Sequence, residues 1–160
     1  MDPKRIPPAA WIAGGIILVA AVGVLGASYV TMRRRSDIEM CGVNLRTIYT
    51  AIRSGEHPDS PRWSEPGTGR VFLANYPRWP THEPRPIDLN CPVKGPSGEI
   101  DYRGPARPLP QMGKDEPILS DRPGNHGPDH GGNVVLKTGA VYTCEKSDPL
   151  WAAAALSTSD

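Results

Sequence analysis

The stretch from Ala9 to Met32, AAWIAGGIILVAAVGVLGASYVTM, contains no Asp, Glu, Lys, Arg, Asn or Gln. About 24 residues of this kind, wound into one helix, cross the roughly 30 Å hydrocarbon core of a bilayer with some tilt. Only a helix or a closed barrel satisfies its own backbone groups in lipid, and one segment cannot close a barrel. The expectation is therefore a single-pass membrane protein with the remaining chain hung from one anchor. A cleaved signal peptide fits less well. Lys4 and Arg5 would serve as its basic start, but the apolar run exceeds the about 7–15 residues of such a segment. Arg33, Arg34 and Arg35 then follow as a stop-transfer flank would.

The ends of the span carry their own signals. Pro7-Pro8 suits a first helical turn, where Pro costs no hydrogen bond. Trp11 and Tyr29 are placed to sit at the two membrane interfaces, with the three arginines just beyond. Small residues recur as Ala10-xxx-Gly14 and Gly23-xxx-Ala27. Such spacing lets helices approach closely, although Ala and Gly are also simply common in membrane helices.

Beyond the arginines, Ile38, Cys41, Leu45, Ile48 and Ile52 recur at helical spacing, with Asp37, Glu39, Asn44, Arg46 and Arg53 between them on the wet side. No Pro occurs between Pro8 and Pro58, and Gly55 is a fair stop. The spacing predicts one helix from about Pro8 to Ser54, with its first half in lipid and its second half carrying a head on the apolar stripe. The expected divisions are a tail over 1–8, a transmembrane helix over 9–32, an amphipathic continuation over 33–54 and a head over 55–160.

That head has little to build with. Aromatic residues are 6% of the chain, and its 19 Pro and 17 Gly make long loops. A core this thin relies on staples or partners. The net charge of +1, without a basic run interleaved with aromatics, argues against nucleic acid. Turn chemistry fills Gly55–Gly69, and Pro77–Pro86 reads as an extended loop, with Trp63 and Trp79 expected to fold back over the core. Arg70–Tyr76 reads as a short strand or a helical turn. Strands are expected at Glu99–Arg103, Pro117–Asp121, Asn133–Lys137 and Ala140–Cys144, the last two joined by a two-residue Thr138-Gly139 turn. Asp148-Pro149 reads as a cap and first turn for a terminal helix over Leu150–Leu156. The fold class is α+β: a long N-terminal helix packed on a small, loop-rich antiparallel sheet.

Chemistry-bearing residues are few. Cys41, Cys91 and Cys144 form no Cys-x-x-Cys, so they read as disulfide candidates. Cys91–Cys144 is slightly preferred, and Cys41–Cys91 would tie the helix to the head. His126, Asp129 and His130, near Asp121, are the only grouping of metal-ligand types, and turn capping explains them as well. His57 and His82 lie in Pro-rich loops and read as solvated. Ser120, Asp121 and His126 can be drawn as a triad, but no nucleophile elbow surrounds the serine. Neither an enzyme nor a bound cofactor is expected.

The order of several short motifs resembles a family. A membrane helix and Arg cluster lead to Cys41-Gly42-Val43-Asn44-Leu45-Arg46, then Cys91-Pro92, Asp101-Tyr102, Asn125-His126-Gly127 and His130-Gly131-Gly132-Asn133-Val134 before a turn Gly. This is similar to the pilin-like, pseudopilin-type proteins of planctomycetes and related bacteria. Two departures stand out. The helix entry lacks the Phe and Glu of a processed prepilin, and Thr138-Gly139 replaces an Asp-Gly turn. The resemblance implies a structural subunit of the bacterial cytoplasmic (inner) membrane whose head is periplasmic or otherwise extracytoplasmic. The Arg33–Arg35 triplet, counted alone, would instead hold the head in the cytoplasm. Expected partners are membrane lipid and either copies of the chain or other membrane-protein subunits. The alternative role is an accessory subunit of a respiratory or photosynthetic complex; a metal-binding or enzymatic module comes third.

Overall fold

The computed structural model describes residues 8–54, 67–74, 89–95 and 98–160. Trp63, Trp79, His57, His82 and the Pro77–Pro86 loop lie outside the described residues. Helix α1 runs over Pro8–Ser54, as the spacing predicts. By its contacts the chain divides into two units, Met1–Ser36 and Asp37–Asp160.

In the first unit, the described side chains of α1 between Trp11 and Ser36 are all exposed. Ile16, Leu18, Val19, Val24 and Leu25 are bare apolar groups, and Trp11 and Tyr29 are exposed with them. The helix is long and apolar enough to cross a membrane, with a mean hydropathy of 2.1 over an 18-residue window. Gly14 and Gly23 have no neighbour against them, and Ala27 is exposed. Ala10 lies within α1, but its side chain is outside the description. Arg33, Arg34 and Arg35 are exposed at the end of this unit.

The second unit begins where α1 changes character. Cys41, Leu45, Ile48 and Ile52 are buried and Ile38 half-buried, while Glu39, Arg46 and Arg53 stay exposed. The stripe packs on one face of a five-stranded antiparallel sheet of order β4-β3-β2-β1-β5. The strands are β1 (Tyr102–Pro105), β2 (Pro117–Asp121), β3 (His130–Leu136), β4 (Val141–Glu145) and β5 (Thr158–Ser159). A six-residue helix, α2 (Gly69–Ala74), adds Phe72 and Leu73 to the same core, so the described part of the expected Arg70–Tyr76 element, residues 70–74, is helical.

Alternation divides the sheet between two covers. Leu119, Asp121, Asn133 and Val135 face α1, while Ser120 and Val134 face α3 (Pro149–Ser157). Both sides of β2 are therefore buried along its whole length. Helix α3 starts as its sequence predicts: the Asp148 carboxylate accepts from the Leu150 N–H at 2.8 Å, with Pro149 in the first turn. Its end feeds directly into β5, which pairs with β1 and was not expected.

Two sequence expectations shift in register. The strand expected at Glu99–Arg103 forms at Tyr102–Pro105, because Asp101 turns inward to bond Cys91 and Lys94. The hairpin forms, but its loop is the three residues Lys137–Gly139. The Gly139 N–H closes a turn on the Leu136 carbonyl at 2.8 Å, Gly139 takes φ +90°, and the Leu136 N–H reaches the Ala140 carbonyl. That is a turn followed by a glycine bulge, the usual form of a three-residue hairpin loop. Tyr49 of α1 covers this glycine and donates its hydroxyl to the Lys137 carbonyl.

Candidate functional site: a buried thiol and imidazole centre under the helix

Four separate segments meet beneath the first buried turns of α1. Helix α1 supplies Cys41 and Asn44. A turn over residues 91–95 supplies Cys91. The start of β1 supplies Tyr102, preceded by Asp101. The end of β2 and the loop after it supply Asp121 and His126. Cys41, Cys91, Asp101, Tyr102 and Asp121 are fully buried, and His126 is 1% exposed.

Hydrogen bonds fix each segment. The Cys91 N–H donates to the Asp101 carboxylate at 3.0 Å, and Lys94 Nζ pairs with its other oxygen at 3.0 Å. The Lys94 and Gly95 N–H groups both return to the Cys91 carbonyl. The turn thus closes on itself and holds the Cys91 sulfur toward the helix. Asn44 donates to the Tyr102 hydroxyl, which donates onward to the Asn90 carbonyl. Asn44 therefore leaves the wet side where its spacing had placed it and is half-buried.

Asn133 joins the helix to the sheet. Its side-chain nitrogen donates to the Ile38 carbonyl at 2.8 Å and to Asp121 Oδ2 at 3.0 Å, while its oxygen accepts from Thr143. Gly42 allows this approach, since a Cβ there would stand 3.2 Å from the Asn133 oxygen. The loop after β2 is wound by a bond from the Asn125 N–H to the Arg122 carbonyl and by Gly124 at φ +88°. The Asn125 side chain anchors it to the Asp101 carbonyl at 2.6 Å, which sets His126 inward.

At the centre, the sulfurs of Cys41 and Cys91 lie 3.0 Å apart. Single ligand atoms of Cys41, Cys91 and His126 all fall within 4.8 Å of one another. His126 Nε2 is 3.4 Å from Asp121 Oδ2. Among the described residues this is the one group of three such ligand atoms. The chemistry open to it is a sulfur–sulfur bond or a soft divalent cation held by two thiolates and an imidazole.

Charge is finely placed here. Cys91 is held below the ordinary thiol range by the hydrogen bond from Cys41, then by His126 and the N–H groups of Lys94 and Val93. Cys41 moves the opposite way, because its proton bridges to Cys91 and burial disfavours a second negative sulfur. Burial pushes the Asp121 carboxyl up to about 6, against the pull of His126 and the Asn133 donors. Burial also raises the Tyr102 hydroxyl.

This arrangement corrects two readings of the sequence. Cys144 packs with Val134 and Ala154 on the α3 face, so the sheet stands between it and Cys91, and the partner of Cys91 is Cys41. His126 joins the sulfurs in the core, while Asp129 and His130 remain exposed on a groove of about 730 Å³ that His126 borders from within. The triad on paper is not assembled. Ser120 bonds Thr158 at 2.9 Å on the α3 face, and Asp121 and His126 meet on the other.

The segments that suggested a family, Cys41 to Asn44, Cys91, Asp101-Tyr102, Asn125-His126 and Asn133, are the ones that converge. Order alone could not show that they touch, because 50 residues separate Cys41 from Cys91. No family model matches the chain, and no curated protein or solved structure matches it.

Proposed function

We propose that the chain is a single-pass, membrane-anchored structural subunit with a pilin-like head on the extracytoplasmic side of a bacterial cytoplasmic membrane. The observation that carries this reading is the division within α1. From Trp11 to Met32 its large apolar side chains are bare, and from Cys41 its apolar stripe is buried in the head. An apolar surface of that extent requires lipid or other helices as cover. In support, Asn44, Asp101, Asn125 and Asn133 hold α1, the 91–95 turn and the sheet together. The subunit acts through helix packing and through surfaces of the head.

A second reading is an accessory subunit that docks its span into a larger membrane complex, respiratory or photosynthetic. The helix entry favours it, since Pro7-Pro8-Ala9-Ala10-Trp11 lacks the residues that prepilin processing and filament assembly use. Gly14 and Gly23 stand open for neighbouring helices.

The test is extraction of the full chain from membranes in mild detergent, with co-purifying proteins and the N-terminal mass identified. Recovery only with detergent, with copies of itself, supports the first reading. Foreign membrane subunits at fixed stoichiometry with an unprocessed N-terminus support the second. A reporter fused after Asp160 that is active only in the cytoplasm overturns the placement of the head.

A further inference from the structure

We infer that Cys41 and Cys91 form an intramolecular disulfide that fastens the anchor helix to the head at the point where the helix becomes buried. Cys41 is the first fully buried residue of α1 after the bare stretch. Its sulfur meets that of Cys91 at 3.0 Å, both are closed to solvent, and Cys144 lies across the sheet. The bond closes a segment of 50 residues that includes the Pro-rich stretches between Ser54 and Asn90. In a head with so few large apolar residues, cross-linking a segment this long stabilises the fold by restricting the unfolded chain.

A cation fits the same atoms less well. Two thiolates on one tetrahedral zinc sit roughly 3.8 Å apart, given bonds of about 2.3 Å. The sulfurs here, at 3.0 Å, lie between that spacing and the about 2.05 Å of a disulfide, so distance alone does not choose between the two. Among the described residues only three ligand atoms, those of Cys41, Cys91 and His126, fall within 4.8 Å of one another, one short of the four that a closed structural zinc site takes.

The bond forms by two thiol–disulfide exchanges with an oxidised dithiol, either a protein or glutathione disulfide, before the 91–95 turn closes over the helix. The Cys91 thiolate, its proton lost to water, attacks one sulfur of the oxidant, breaks that disulfide and releases a thiolate. The Cys41 thiolate then attacks the Cys91 sulfur, breaks the mixed disulfide and releases the second thiolate. The two released thiolates take up two protons. The two protein thiols together lose two electrons, and the oxidant is reduced to two thiols, on one protein dithiol or on two glutathione molecules. Folding selects the pair and then buries the product.

The inference rests on the extracytoplasmic placement for its oxidising surroundings, so the experiment separates the two. The full-length protein in detergent is unfolded with reductant, then refolded with glutathione disulfide. It is quenched with alkylating agent and mapped as non-reduced peptides, and zinc is measured alongside. The expected result is the Cys41 peptide joined to the Cys91 peptide, with Cys144 alkylated. Cys144→Ser is expected to keep the link. Cys41→Ser and Cys91→Ser each lose it, and proteolysis of the head then quickens on the order of a hundredfold, as does that of the reduced wild type. Three alkylated cysteines, a Cys91–Cys144 link, or stoichiometric zinc with both thiols retained would overturn the inference. If the link forms in the refolded protein but is reduced in protein alkylated inside cells, the pairing stands and the extracytoplasmic placement falls.

Discussion

Two halves of one helix obey different solvents. Over Ala9–Met32 nearly every position is apolar or small, and the exposed side chains include Trp11, Leu18 and Leu25. Over Asp37–Ser54 only one stripe is apolar, and it is buried against the sheet. The backbone is the same α-helix in both. What differs is how hydrophobicity is distributed around it: all round in the first half, as a membrane-spanning helix requires, and one-sided in the second, where the opposite side is polar. Secondary structure alone thus says little about what a helix touches.

The sharpest way to break the comparison is to make the same change in each half. Leu45→Ala should lower the head's unfolding free energy by about 2–5 kcal/mol, because it leaves a cavity under Leu119 and Val135. Leu25→Ala should leave the head's thermal midpoint unmoved. Equal losses from both would mean that the two halves do not differ in what their side chains contribute to the head's stability. Next in size is Gly139→Ala. Its φ of +90° and the Tyr49 ring over it should together cost on the order of 1–3 kcal/mol, read as a lower denaturant midpoint with unchanged slope. That result would show the buried half of α1 to be fastened to the hairpin tip as well as to the core. Asp148→Ala, far from α1 in sequence, should cost about 1 kcal/mol through loss of the α3 cap.

The comparison also has a pH dependence, and it belongs to the buried half alone. The folded state raises the Asp121 carboxyl to about 6, so it binds that proton more tightly than the unfolded chain does. Its contribution is complete below the ordinary carboxylate range and is lost as pH rises through about 6. Cys91 runs in the other sense in reduced protein. Its depressed thiol stabilises the head above the ordinary thiol range, and that stability falls away as pH drops. Chemical denaturation across pH 5 to 9 should therefore show a rise toward alkaline pH in the reduced head. The same rise in cross-linked protein would argue against Cys91 as its source.

Much of the architecture was legible beforehand because it depends on local pattern. The continuous α1, the Cys41–Ile52 stripe, β2 at Pro117–Asp121 and the Asp148 cap each follow from spacing or from one residue's hydrogen bond. Elements set by distant partners were displaced or missed. Strand β5 is two residues long and exists because β1 offers it an edge. Strand β1 begins late because Asp101 is drawn to Cys91 and Lys94. For the candidate site, the residue types were visible and their partners were not. Spacing could not decide between Cys91–Cys144 and Cys41–Cys91, because nothing in a sequence reveals which face of a sheet a cysteine occupies until every strand's register is known.

By itself, then, the sequence determined a membrane-length apolar helix that continues as an amphipathic one, and an α+β head that must fold with a thin core. Those outcomes depend on hydrophobic periodicity and capping, which act over one or two turns. Only the tertiary structure decided that Cys41, Cys91, His126 and Asp121 share one buried centre while Cys144, Asp129 and His130 do not. That choice belongs to strand order and register, which bring together residues 50 or more positions apart and send alternate neighbours to opposite faces.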